Sequence, residues 1–159
     1  MANAIAPVIN APVLNINETG IDSIHFSTLE KYELLGFGSG INSDKHYQLL
    51  LDFAKKLPSV KSKKAFIFST SGIYSEKQME INHKTLRYIL QNKGFVIIGE
   101  FACRGYNTNS FLKYFGGMNK DRPNSEDLTH IAVYEELISR YSAGYFFRRR
   151  ICVLRIFSF

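Results

Sequence analysis

The sequence predicts an α/β fold in which a parallel sheet is covered by helices. Three observations carry that reading. Three short runs, Tyr32 to Phe37, Lys64 to Ser69 and Phe95 to Phe101, are nearly continuous in apolar residues, the pattern of strands buried on both faces. Amphipathic segments with a 3.6-residue period separate them, and strands alternating with helices imply right-handed crossovers between parallel neighbours. The first two runs also open, at their carboxyl ends, into loops of small residues, where ligands gather in such sheets.

From the N-terminus, Ala2, Ile5, Ala6 and Ile9 share one helical face, and Pro12 to Ile16 reads as a short strand before a polar turn at Asn17 to Gly20. The run Tyr32 to Phe37 is a buried strand entering the turn Gly38-Ser39-Gly40. Asp44 is placed to cap a helix whose apolar positions Tyr47, Leu50, Leu51, Ala54 and Leu57 keep the helical period until Pro58. Lys64 to Ser69 is the next strand, followed by the loop Thr70-Ser71-Gly72-Ile73-Tyr74. Ser75 and Gln78 form a capping-box pattern for a long helix carrying Met79, His83, Leu86 and Leu90 on one face, with Gly94 as its stop. Phe95 to Phe101 is a third strand, and a long polar connection runs from Cys103 to Asn124. Pro123-Asn124 introduces a last helix with Leu128, Ile131, Tyr134 and Ile138 facing inward, ended by Gly144.

Composition narrows the function classes. At 159 residues with 45% apolar and 21% charged residues, the chain is one domain's worth and neither disordered nor a membrane bundle. The net charge of +6 is concentrated in the tail, where Arg148, Arg149, Arg150 and Arg155 sit; without them the rest carries +2. A nucleic-acid binder needs a basic stripe on its folded body, so no nucleic-acid partner is expected. The first twelve residues show no export signal. Cys103 and Cys152, 49 positions apart, have neither zinc-site nor disulfide-scaffold spacing, and a cytoplasmic location is expected.

Motifs of nucleotide or acyl chemistry fail at single positions. The segment Gly36 to Ile41 lacks the final glycine of a dinucleotide fingerprint, and Ser39 is flanked two positions away by Phe37 and Ile41, not by the glycines of a nucleophile elbow. His25, His46, His83 and His130 are too scattered to ligate a metal. They read as surface or half-buried structural residues, and Cys103 as a packed one.

The loops, in order, read YELLGFGSGINSDKH, KKAFIFSTSGIYSEKQ and GFVIIGEFACRGYNT. These resemble the third, fourth and fifth strands of flavodoxins with their loops, over about Ala2 to Ile138. The resemblance implies a flavodoxin-like three-layer sandwich, truncated at the N-terminus: Ala2 to Asn10 match the end of the family's first helix, so the first strand and the phosphate loop would lie before Met1. Residues 1–144 are read as this domain and 145–159 as an atypical basic and apolar tail.

What the resemblance implies for function is FMN binding and electron transfer between redox partner proteins, a carrier's role more than an enzyme's. Ser39, Gly40, Ile41 and Asn42 match one loop that encloses the flavin ring, and Thr70, Ser71, Gly72 and Tyr74 match the other, with Tyr74 as the stacking aromatic. Gly40 matches the position whose backbone turns to the reduced ring. Without a phosphate loop, binding is expected to be weakened, because backbone N–H groups at a helix start are what hold a phosphate. A flavin-dependent NAD(P)H oxidoreductase of the same fold, or a relative that no longer binds FMN, stand as alternatives.

Losing the first strand leaves a gap in a sheet of order 2-1-3-4-5, with two unpaired edges. Ile151 to Phe157 is expected to fill it, although Arg155 would then carry charge into a buried strand. A frame-shifted origin for residues 145–159 and contact of this basic segment with an anionic membrane surface are competing readings.

Overall fold

The structure, a computed structural model, describes residues 11–20, 23–72, 75–105 and 151–156. Its strands are β1 (Val13–Asn15), β2 (Leu34–Asn42), β3 (Lys45–His46), β4 (Lys63–Ser71), β5 (Phe95–Arg104) and β6 (Ile151–Ile156). The helices are α1 (Ile16–Thr19), α2 (Phe26–Glu30), α3 (Gln48–Lys56) and α4 (Glu76–Asn92). Five strands form a parallel sheet in the order β1-β6-β2-β4-β5, and β3 folds back antiparallel on the end of β2. The fold class is the predicted one, with the strand order of a flavodoxin-like α/β sandwich. The predicted first and last helices lie outside the described residues.

The last described strand, β6, occupies an interior position between β1 and β2. β6 pairs with β1 through Val13↔Val153 and with β2 through six consecutive positions from Leu34↔Ile151 to Ser39↔Ile156. Residues 151–156 therefore belong to the domain's sheet, not to a separate tail, and both Val153 and Leu154 are fully buried. Arg155 fits because it stands between Asn15 and Gly38: Gly38 brings no side chain to the contact, and Arg155 is half-buried rather than enclosed.

Alternation along the strands builds two cores. Leu35, Phe37, Ala65, Ile67, Cys152 and Leu154 face one side and pack with Leu50, Phe53 and Ala54 of α3 and Leu86 and Leu90 of α4. Leu34, Phe66, Phe68, Phe101, Ile151 and Val153 face the other. Ile16 of α1 and Leu29 of α2 join the first core, so the four helices among the described residues lie on that face. Phe37 meets Phe95 edge-on there, with ring centroids 5.7 Å apart at 82°, the arrangement that aromatic quadrupoles favour.

The predicted turn at Gly38-Ser39-Gly40 is strand. Gly36 and Gly38 are flat seats for the rings of Phe66 and Phe68 on β4; a Cβ there would fall 2.2 and 2.1 Å from those rings. Glycine in a strand marks such close approach as readily as it marks a turn. The real reversal comes later, at Ser43 and Asp44, whose φ values of 50° and 58° are those of a two-residue type I′ hairpin. Asp44 is thus a hairpin residue rather than a helix cap, and α3 starts after Tyr47.

Both ends of α4 are as predicted. Ser75 Oγ accepts from the backbone N–H of Gln78 at 3.1 Å, and Gly94, at φ 87°, follows the last turn with the Val60 carbonyl where a side chain would stand. Only one arm of the capping box forms, because the Gln78 amide instead donates to Asp44 and Asn82. Ser75→Ala is expected to cost about 1 kcal/mol, read as a lower urea midpoint with unchanged slope.

Candidate functional site

At the carboxyl ends of β2 and β4 the helix-side core turns from apolar to polar. The period that places Leu35 and Phe37, and Ala65 and Ile67, in that core delivers Ser39 and Ser69 next on the same face. The two serines are register partners, and each meets a histidine. Ser39 Oγ lies 2.8 Å from His46 Nδ1, and Ser69 Oγ lies 2.8 Å from His83 Nε2. The two imidazoles sit beside each other, centroids 5.0 Å apart. All four residues are buried.

His46 reaches this place because the hairpin folds β3 over the end of β2, opposite Ile41; His83 comes from the buried stripe of α4. Sequence reading had both histidines as surface or half-buried residues. For His83 the signal is the helix face it shares in the sequence with Met79, Leu86 and Leu90, which buries a histidine as surely as a leucine.

The third partner, Glu100, depends on a local defect. Between Ala65 and Phe66 the register with β5 slips: Ala65 opposes Ile97, but Phe66 opposes Gly99. The extra residue flips the side-chain alternation after it, so Glu100, opposite Ile67, faces α4. There Glu100 Oε2 accepts from His83 Nδ1 at 2.9 Å and from the Arg87 terminal NH2 at 2.7 Å, and Oε1 accepts from Arg87 Nε. His83 and Arg87, four apart on α4, present both donors to one carboxylate.

Proton positions follow from what each partner permits. An ionised carboxylate only accepts, so His83 Nδ1 carries a hydrogen and donates to Glu100. Burial pushes the Glu100 carboxyl up, yet the hydrogen bonds from His83 and Arg87 outweigh it and hold the group at about 2. His46 is held well below the ordinary histidine value by burial first and by its neighbour His83 second, against a smaller upward pull from Glu100.

Glu100–His83–Ser69 has the hydrogen-bond order of a hydrolase relay. Ser69 and His83 are both at 0% exposure, however, and a hydroxyl that meets no substrate attacks none. The network's work here is to lock α4 to β4 and β5.

No family model matches the chain. Over 128 residues it is 46% identical to uncharacterized protein MJ0298 of Methanocaldococcus jannaschii, an alignment that covers 80% of each chain. The chain belongs to that protein's family. The relative's name assigns no chemistry, so the family's site has to be read from the rim itself.

The residues matched to flavin loops are gathered on one rim. Gly40 pairs with Thr70, so the segments ending at Asn42 and Gly72 run side by side. Their environments differ. Ser39 is turned inward and its hydroxyl donates to the Gly40 carbonyl at 2.7 Å; Gly40 lies in paired strand, with the Tyr47 ring 2.8 Å from where a Cβ would be. Ile41, Thr70, Ser71 and Gly72 are half-buried and Asn42 is exposed. Tyr74 lies outside the described residues. Among the described residues, no His, Cys, Asp and Glu cluster suits a metal ion, and no helix is long and apolar enough to cross a membrane.

Proposed function

We propose that this chain is a flavodoxin-like FMN-binding protein that carries electrons between redox partner proteins in the cytoplasm. The observation that supports it is the place of β6. With β6 between β1 and β2, the sheet has the 2-1-3-4-5 order of positions of the flavodoxin-like fold, and open α/β sheets bind ligands outside the carboxyl ends of their strands. Half-buried Ile41 and exposed Asn42 from one strand, and half-buried Thr70, Ser71 and Gly72 from the next, line these ends. Asn42, Thr70, Ser71 and Gly72 fit the ring half of the cofactor, being small or polar and carried on adjacent strand ends.

When bound, FMN supplies the one- or two-electron chemistry. The chain's residues position the ring's polar edge through backbone groups of Ile41, Asn42, Ser71 and Gly72. The Ser39–His46 and Ser69–His83 pairs keep the ends of β2 and β4 fixed, which limits the rearrangement that accompanies a change of charge on a ligand. Neither nucleic acid nor membrane enters this function.

The test is titration of the purified chain with riboflavin and with FMN, read as a red-shifted, quenched flavin band. Ring-dominated recognition predicts that both bind, with affinities within about tenfold, or 1.4 kcal/mol, of each other. Free-flavin spectra in both titrations would refute the carrier and leave a relative that has lost its cofactor. Flavin-dependent turnover of NAD(P)H with a quinone would replace the carrier with an oxidoreductase.

A further inference from the structure

The hairpin that carries His46 stands beyond the end of the sheet. β2 pairs with β6 as far as Ser39 and with β4 as far as Gly40; past that point its partner among the described residues is β3 alone, through Ile41↔His46 and Asn42↔Lys45. Asn42 to Lys45 are exposed, and no residue from Ile41 to His46 belongs to either apolar core. The turn is strained as well. Ser43 and Asp44 both hold positive φ, where a two-residue hairpin ordinarily places Asn-Gly.

What fastens this hairpin is polar. On the outside, Asp44 Oδ1 accepts from the Gln78 amide of α4 at 2.8 Å, an exposed bond. On the inside, Ser39 Oγ lies 2.8 Å from His46 Nδ1 and accepts from the Tyr47 backbone N–H at 3.2 Å, and the His46 ring rests beside that of His83. The other ring nitrogen, His46 Nε2, is buried without a partner, an unmet hydrogen bond that closure imposes and water satisfies on opening. Segments with few buried apolar contacts and exposed backbone open locally, at a fraction of the cost of global unfolding. Here the strained turn and the orphaned nitrogen both favour the open form.

We propose that residues 41–47 form a strap, closed at neutral pH, that opens as a unit from α4 and the end of β2, and that a proton on His46 releases it. The strap's root, Ile41 and Asn42, is part of the rim, so release loosens one side of the candidate site whatever the site binds. The groups around His46 set the sign. His83 of α4 opposes a proton there, and Glu100 of β5, already bonded to His83 and Arg87, favours one less strongly than burial opposes it. Ser39 of β2 and Ser69 of β4 bring only hydroxyls, and Asp44 and Lys45 on the hairpin itself are exposed. An opened, hydrated imidazole takes its proton near the ordinary 6.5. The open form therefore binds more protons and gains as pH falls below that value, by at most about tenfold per pH unit.

Amide hydrogen exchange, followed residue by residue by NMR on the wild-type chain without any ligand, tests this. At pH 7 the Tyr47 N–H is expected to be protected, but at least about a hundredfold less than the amide of Ile67, which lies in a strand paired on both sides. Low urea is expected to leave Tyr47 exchange nearly unchanged while it accelerates that of Ile67, because opening the strap exposes little surface. Between pH 6 and 5 the Tyr47 protection factor is expected to fall about tenfold, and in His46→Asn that fall is expected to vanish. A Tyr47 amide with the protection and urea slope of Ile67 would mean that the hairpin opens only when the domain unfolds, and one unprotected at pH 7 that it is never closed. A protection factor constant from pH 6 to 5, or falling as steeply in His46→Asn as in the wild type, would take the proton out of the device. Any of these results overturns the inference, and the wild-type measurements stand even where the variant fails to fold.

Discussion

Leu154→Asp and Val153→Asp are each expected to abolish cooperative folding, while Val96→Asp leaves it intact. Val153 and Leu154 are at 0% exposure in a strand hydrogen-bonded on both sides, one in each of the two cores. A carboxylate at either point loses its hydration, a penalty of several kcal/mol per ion. It also forfeits the apolar burial of the original side chain, about 1.5–3 kcal/mol. Against a total stability of about 5–15 kcal/mol, the sum is enough to unfold the domain. Leu154→Ala, which only opens a cavity, is expected to cost about 2–5 kcal/mol and to remain folded. Val96, 47% exposed on the edge strand β5, is a surface position where changes stay within about 0.5 kcal/mol. Urea unfolding followed by far-ultraviolet circular dichroism reads all four. A Leu154→Asp protein that melts like the wild type would remove β6 from the sheet, and with it the strand order on which the functional proposal stands.

That strand shows how far the sequence could be read. The need for a further strand was legible: a five-stranded parallel sheet lacking its first strand exposes two edges, and Ile151 to Phe157 was the apolar run at hand. Its objection, Arg155, dissolved on a fact that only pairing reveals, the glycine opposite it. Gly38 and Gly40 misled for the converse reason. Composition does not distinguish a glycine that reverses the chain from one that admits a neighbour's ring, and here Phe68 and Tyr47 decide. The polar cluster was the least legible part. Glu100 sits in an apolar run, FVIIGEF, and faces His83 only because one extra residue slips the β4–β5 register. No periodicity in β5 alone announces a bulge.

Glu100→Gln is expected to destabilise the protein by up to about 3 kcal/mol at pH 7 and to change nothing near pH 2. The carboxyl is held at about 2, against an ordinary 4.5, so the native state releases a proton that the unfolded chain retains in the interval between. Where the unfolded state binds more protons, stability rises with pH; the contribution is therefore complete above about pH 4.5 and disappears as pH falls to about 2. The interval from 4.5 down to about 2 corresponds to about 3 kcal/mol at most. Glutamine keeps the shape but not the charge, leaving Arg87 and His83 with a weaker acceptor. His46 adds a separate earlier loss of the same sign: its folded value lies below the unfolded 6.5, so acid favours the unfolded chain from about pH 6.5 downward. Urea midpoints at pH 7, 5 and 3 separate the two groups. Wild type is expected to weaken across both intervals, His46→Asn only across the lower, and Glu100→Gln chiefly across the upper. A Glu100→Gln curve parallel to wild type from pH 5 to 3 would show that the carboxylate is not the group holding β5 to α4.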